Sequence, residues 1–189
     1  MAESGLDSLR QTHEVSVEWK AFELRPGGQF PGTPEQEALY RERIRERHEQ
    51  MQNHARDRFG LEMKEGPWMV NSRLALEGQV FARKHDREDE YHRACFAAHW
   101  QEGRRLDDMN TLVEIAKSVG LDGEEFRKAV KSRQYRAEVE MDLMLAREYG
   151  IDGIPAFIFG DRYLVSGAQP VEILRQVVDR CVAEGLVAT

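Results

Sequence analysis

Hydrophobic residues in this chain recur mostly at helical intervals, and two short stretches of alternation interrupt them. Leu6 and Leu9 share a face over Glu3–Gln11, which predicts a first helix. The segment Val15–Ala21 then alternates, with Val15, Val17, Trp19 and Ala21 on one side, which predicts a strand that Pro26, Gly27 and Gly28 end. Next, Thr33, Pro34 and Gln36 supply an N-cap, a first-turn proline and a capping-box partner. Tyr40, Ile44, Met51, Ala55 and Phe59 trace a narrow apolar stripe from there to Gly60, so a long helix should pack on one side only. Asn71–Glu102 reads as one or two helices broken near His85 and Asp86, and Asp107–Val119 as another, closed by Gly120. Asp122 and Glu125 form a capping box, with Leu121 and Phe126 as a hydrophobic staple, for a helix running to Ser132. Tyr135–Tyr149 is helical and stops at Gly150.

Alternation returns only near the end. Pro155–Phe159 and Arg162–Val165 flank Gly160 and Asp161, which predicts a hairpin with a two-residue turn. Pro170 is expected to open a last helix that runs to about Glu184. One early strand, a block of helices, a late hairpin and a helix imply a mixed sheet with helices on its faces and an all-helical insertion between its halves.

Composition narrows the partners. The chain has 189 residues, 41% of them hydrophobic, and a net charge of −7. An acidic balance with interspersed charges speaks against a nucleic-acid surface. No apolar run reaches the roughly 20 residues of a membrane span, and the N-terminal sequence shows no basic region followed by an apolar one, so a cytoplasmic location is expected. The two cysteines, Cys95 and Cys181, are not in a Cys-x-x-Cys pair and are expected to be free and structural.

Other chemistry-bearing residues favour plainer readings. His92, Cys95 and His99 share a helix face, but a fourth ligand beyond Glu88 is not evident, so no metal is expected. Met141 and Met144, near Leu143 and Leu145, read as core. The Arg- and Glu-rich stretch Glu35–Arg58 reads as a solvated face.

The last segment carries the most specific signal. "GIDGIPAFIFGDRYLVSGAQP" joins a Gly-Ile-Pro step, a short hairpin and Ser-Gly-Ala-Gln-Pro. Together with "VSVEWKAFELRPGG", "NSRLALEGQVFARKH", "YHRACFAAHWQEGRRL" and "GLDGEEFRKAV", it resembles the DsbA-like thioredoxin family of the FrnE type, from about Gly5 to Glu184. The resemblance implies an α/β thioredoxin-like fold made of residues 1–33 with 134–189, and a helical insertion over 34–133. It implies that Pro155 follows a cis peptide bond and that Gly153, Ile154 and Pro155 hold the backbone of a thiol- or disulfide-containing substrate.

Members of that family begin with a strand and a Cys-Pro-x-Cys motif, neither of which is in this sequence. The segment MAESGLDSLR resembles the helix just after that motif. No catalytic residue is therefore assigned and no cofactor is implied. The expectation is a disulfide-exchange oxidoreductase family member, inactive as written, whose native form is longer. Alternatively, a partner donates the missing strand or the sheet rearranges without it, and an oligomer stays open. Two further functions stay open: a redox-dead peptide-binding or scaffold protein, and a glutathione-dependent isomerase of the hydroxychromene-carboxylate type. For the isomerase, Ser4 would have to stand where the first cysteine does, and it falls after that position.

Overall fold

The computed structural model describes residues 2–60 and 62–186, apart from the side chains of residues 2, 3, 58 and 59. Its helices are α1 (Ala2–Arg10), α2 (Pro34–Phe59), α3 (Arg73–Arg83), α4 (Glu88–Trp100), α5 (Met109–Ser118), α6 (Gly123–Lys131), α7 (Arg136–Glu148) and α8 (Val171–Ala183). Strands β1 (Ala156–Phe159) and β2 (Tyr163–Ser166) form an antiparallel pair. Two compact units result: Met1–Leu24 with Leu143–Thr189, and Arg25–Asp142. Among the described residues, no helix is long and apolar enough to cross a membrane.

Side chains cap the starts of α2, α5 and α6. Thr33 Oγ1 accepts from the Gln36 N–H (3.3 Å), and Gln36 Oε1 accepts from the Thr33 N–H (2.9 Å), a reciprocal cap. Gly60, at φ 64°, closes α2. Asp108 and Asp122 cap α5 and α6 through the backbone N–H groups of the first turn. Those N–H groups hold the Asp122 carboxyl below its usual range. The Phe59 side chain of the expected α2 stripe lies outside the described residues; the stripe also includes His48, which is buried.

In the larger unit, α3, α4, α5 and α6 pack on one another. Phe81, Tyr91, Leu112, Phe126, Val130 and Val139 are sealed from solvent in its core. In the other unit, α1 lies against α8, and Leu9, Leu174 and Val178 form a small core. Val15, Phe157, Phe159 and Val165 pack onto that core.

Four expectations are corrected. Val15–Ala21 alternates in burial like a strand, yet it joins no ladder among the described residues, whose sheet has two strands. Side-chain alternation sets which residues face inward and does not by itself make a strand of a sheet. Second, Arg162 belongs to the hairpin connection. Gly160 and Asp161 turn at φ 55° and 53°, the Arg162 N–H donates to the Phe159 carbonyl (3.1 Å), and pairing resumes at Phe159↔Tyr163. Third, Pro170 sits at the N-cap of α8, because its ψ of 145° is not helical. Fourth, Met141 and Met144 are exposed (59% and 56%), not core. The buried stripe of α7 and its first-turn neighbour is Tyr135, Val139, Leu143 and Ala146, and the methionines fall on the opposite side of the helix.

Candidate substrate-binding loop

The chain enters the hairpin through a short loop whose course is fixed at both ends. Where α7 stops, Gly150 turns at φ 66° and the Ile151 N–H donates back to the Ala146 carbonyl (2.8 Å). The Tyr149 hydroxyl donates to the Asp161 carbonyl in the hairpin turn (3.0 Å). The loop then runs through Asp152 and Gly153 to the Ile154–Pro155 bond, which is cis. The Pro155 carbonyl accepts from the Gly167 N–H (2.8 Å), extending the pairing of β1 and β2 by one bond. Beyond it, the Gln169 side-chain amide donates to the Ser166 carbonyl (2.9 Å), and α8 begins.

Gly153 borders open space, since a Cβ there would meet nothing within 4 Å. Ile154 is 53% exposed, and among the described residues none of the backbone hydrogen bonds outside helices and strands involves it. The loop thus presents backbone groups and one apolar side chain at the mouth of the hairpin. It can bind an extended chain, but Gly153, Ile154 and Pro155 carry no acid, base or nucleophile. Sequence reasoning named these three residues and missed Tyr149 and Gly167, which hold the loop. Gly167 was visible within Ser-Gly-Ala-Gln-Pro, but its bond to Pro155 depends on the strand register.

The cysteines are placed elsewhere. Both are buried and free, and they belong to different units. Burial pushes the Cys95 thiol up to about 12, outweighing the opposing effect of the neighbouring Tyr91 hydroxyl. A thiol so raised is a poor nucleophile at neutral pH. Cys181 packs under the hairpin turn, its Sγ 3.4 Å from where a Cβ on Gly160 would stand.

On α4, the His92 ring stacks on Phe96 (4.7 Å between centroids), and His99 meets Trp100 edge-on (4.6 Å). Burial is the main cause holding His99 below the usual imidazole range. Glu88 lies 3.9 Å from Arg83. Among the described residues, no three His, Cys, Asp or Glu side chains gather as metal ligands. Ser4 lies in the first turn of α1, where its carbonyl accepts from the Ser8 hydroxyl (2.9 Å).

A proline-led hairpin packed on a following helix, with a further helix beside it, is the C-terminal part of a thioredoxin-like fold. The chain belongs to the DSBA-like thioredoxin domain family, whose model matches residues 1–179. It is 29% identical to the YwbO protein of Bacillus subtilis over 173 residues, 87% of this chain and 82% of that one. Among solved structures, it is similar to a Streptomyces coelicolor protein described as a "probable DsbA oxidoreductase". The TM-score is 0.78 at 27% identity, covering 97% of this chain and 82% of that one. A 2-hydroxychromene-2-carboxylate isomerase shares the fold, with a TM-score of 0.76 at 18% identity over 99% of this chain and 92% of the other.

Proposed function

We propose that this chain is the substrate-holding part of a DsbA-type thiol–disulfide oxidoreductase of the FrnE type. In this reading, residues 1–33 and 134–189 form its thioredoxin-like domain and 34–133 its helical insertion. The observation that carries it is the open loop at Gly153 and Ile154 in a member of this family. An extended substrate pairs with the Ile154 backbone and lays an apolar side chain against Ile154. The attacking dithiol is supplied from outside these 189 residues, because Cys95 and Cys181 are both buried. A thiolate of that pair attacks one sulfur of the substrate disulfide, forming a mixed disulfide and releasing the other sulfur as a thiolate. The second thiol then displaces the substrate, so the dithiol is oxidised and the substrate reduced by two electrons. We assign the protein to the cytoplasm, where thiols are kept reduced and buried free cysteines are ordinary.

Insulin-disulfide reduction tests this. The 189-residue chain should give no turnover above the background of the reductant supplied. Fused behind a strand and a Cys-Pro-x-Cys segment, it should reduce insulin, and Ile154→Asp should slow the fusion about tenfold or more. Turnover by the unfused chain would refute the division of labour. A fusion that binds peptides but never turns over would favour a redox-dead binding protein.

A further inference from the structure

One half-buried charged group in the hairpin unit has no counterpart among the described residues. Arg175 lies on the second turn of α8 and is half-buried. Its Nε is shut off from solvent and meets no hydrogen-bond partner. The carboxylates that a helix would offer it do not take it. Asp179, four residues on, pairs with His13 Nε2 (3.2 Å). Glu172, three residues before, is exposed, and no ion pair among the described residues joins the two. The contrast is Arg180 on the same helix, whose Nε donates to Glu184 (2.9 Å). Half-buried guanidinium groups are normally paired. This one stays alone in a chain with 34 Asp and Glu against 27 Lys and Arg, so partners are not scarce.

Its position gives the unpaired cation a use. Pro155 is bonded to Gly167, and α8 begins four residues later. Four residues span at most about 14 Å, and Arg175 stands one turn, about 6 Å, further along the helix, so Arg175 lies on the part of α8 that starts from the loop end of the hairpin. Helix side chains lean toward the N-terminus, which directs the long Arg175 side chain to that same end. α1 closes that end from beside: a Cβ on Gly5 would lie 3.5 Å from Leu174 Cδ1. The planar fork of a guanidinium matches a carboxylate, and thiol-bearing peptides and glutathione both bring carboxylates with them.

We propose that Arg175 binds a carboxylate of the substrate at the loop end of the hairpin unit, so that acidic thiol peptides or glutathione-type ligands are favoured. The proposal rests on the reading of Gly153–Pro155 as the substrate loop. The test is calorimetric titration of the 189-residue protein at low salt. The probes are S-methylglutathione and its diethyl ester, and a thiol-free hexapeptide containing Glu and its Gln counterpart. The acids should bind about tenfold or more tighter than their neutral analogues. Arg175→Gln should erase that preference, and Arg175→Lys should keep part of it. Whichever acid shows the preference, tripeptide or hexapeptide, identifies the source of the carboxylate.

Arg175→Met should leave Tm unchanged or raised, since it removes an unpaired half-buried cation. Ile154→Ser should weaken acid and neutral probes alike. An acid preference that survives Arg175→Gln, or no preference in the unaltered protein, overturns the proposal. If Arg175→Gln abolishes the preference while Ile154→Ser changes nothing, Arg175 binds anions but the loop reading fails.

Discussion

Glu77 shows how much a single buried charge depends on one neighbour. Its side chain is fully buried in α3. Arg133 reaches one of its oxygens twice, through Nε (2.8 Å) and Nη2 (2.7 Å), and Oε2 has no partner among the described residues. Arg133 itself sits at φ 58°, a left-handed conformation that costs a non-glycine residue roughly 1 kcal/mol. Two opposed effects therefore meet at this position. Arg133→Ala keeps the backbone cost and strands the carboxylate, which should destabilise the protein by about 3 kcal/mol. Arg133→Gly strands the carboxylate but relieves the backbone, so its loss should be smaller by about 1 kcal/mol. Urea unfolding of the two variants checks the order. A glycine variant no more stable than the alanine variant would mean that the left-handed turn carries no cost there. Neither residue stood out in the sequence, because Glu77 falls on a helix with ordinary spacing and its partner is 56 residues away.

At the scale of elements, sequence was most informative where a side chain acts on its own backbone. Thr33 and Asp122 cap their helices within three residues, so those starts were legible, whereas the helix expected from Asp107 begins at Met109 behind its cap Asp108. The fate of Val15–Ala21 and of Met141 and Met144 depends on neighbours distant in the chain, so alternation or hydrophobicity alone misplaced them. Gly78 is an example of the same kind. It lies inside α3, where alanine would normally gain about 1 kcal/mol. Here an added Cβ would meet Phe126 Cζ at 2.7 Å and crowd the Tyr91 hydroxyl. Both rings are fully buried in a packed core, so neither can swing into solvent. Gly78→Ala should therefore destabilise by about 1–3 kcal/mol instead of stabilising. Thermal unfolding decides it: a raised Tm would mean that α3, α4 and α6 separate at little cost.

For the whole molecule, the two units differ in what holds them. The larger seals bulky side chains such as Phe81, Tyr91 and Phe126. The hairpin unit relies on Leu9, Leu174 and Val178, with strand residues that are only half-buried or exposed. A two-stranded sheet is marginal without packing against it. This also explains what was legible of the site. Gly153, Ile154 and Pro155 form a continuous segment with a recognisable pattern. The part of Arg175 follows from a missing partner, which no local sequence pattern records. The same asymmetry predicts that the units open separately, with the hairpin opening first. In native-state hydrogen exchange, the amides of Phe157 and Phe159 should exchange at least tenfold faster than those of Phe81 and Val130. Their exchange should respond weakly to urea, as expected for a small local opening, whereas exchange in α3 and α6 should follow the larger unfolding. If the loop holds substrate as proposed, its place on the less stable unit lets it adjust to different extended chains while α3 and α6 stay folded. Equal rates with equal urea dependence would instead show one cooperative molecule, and the proposed substrate loop would then act as a rigid edge.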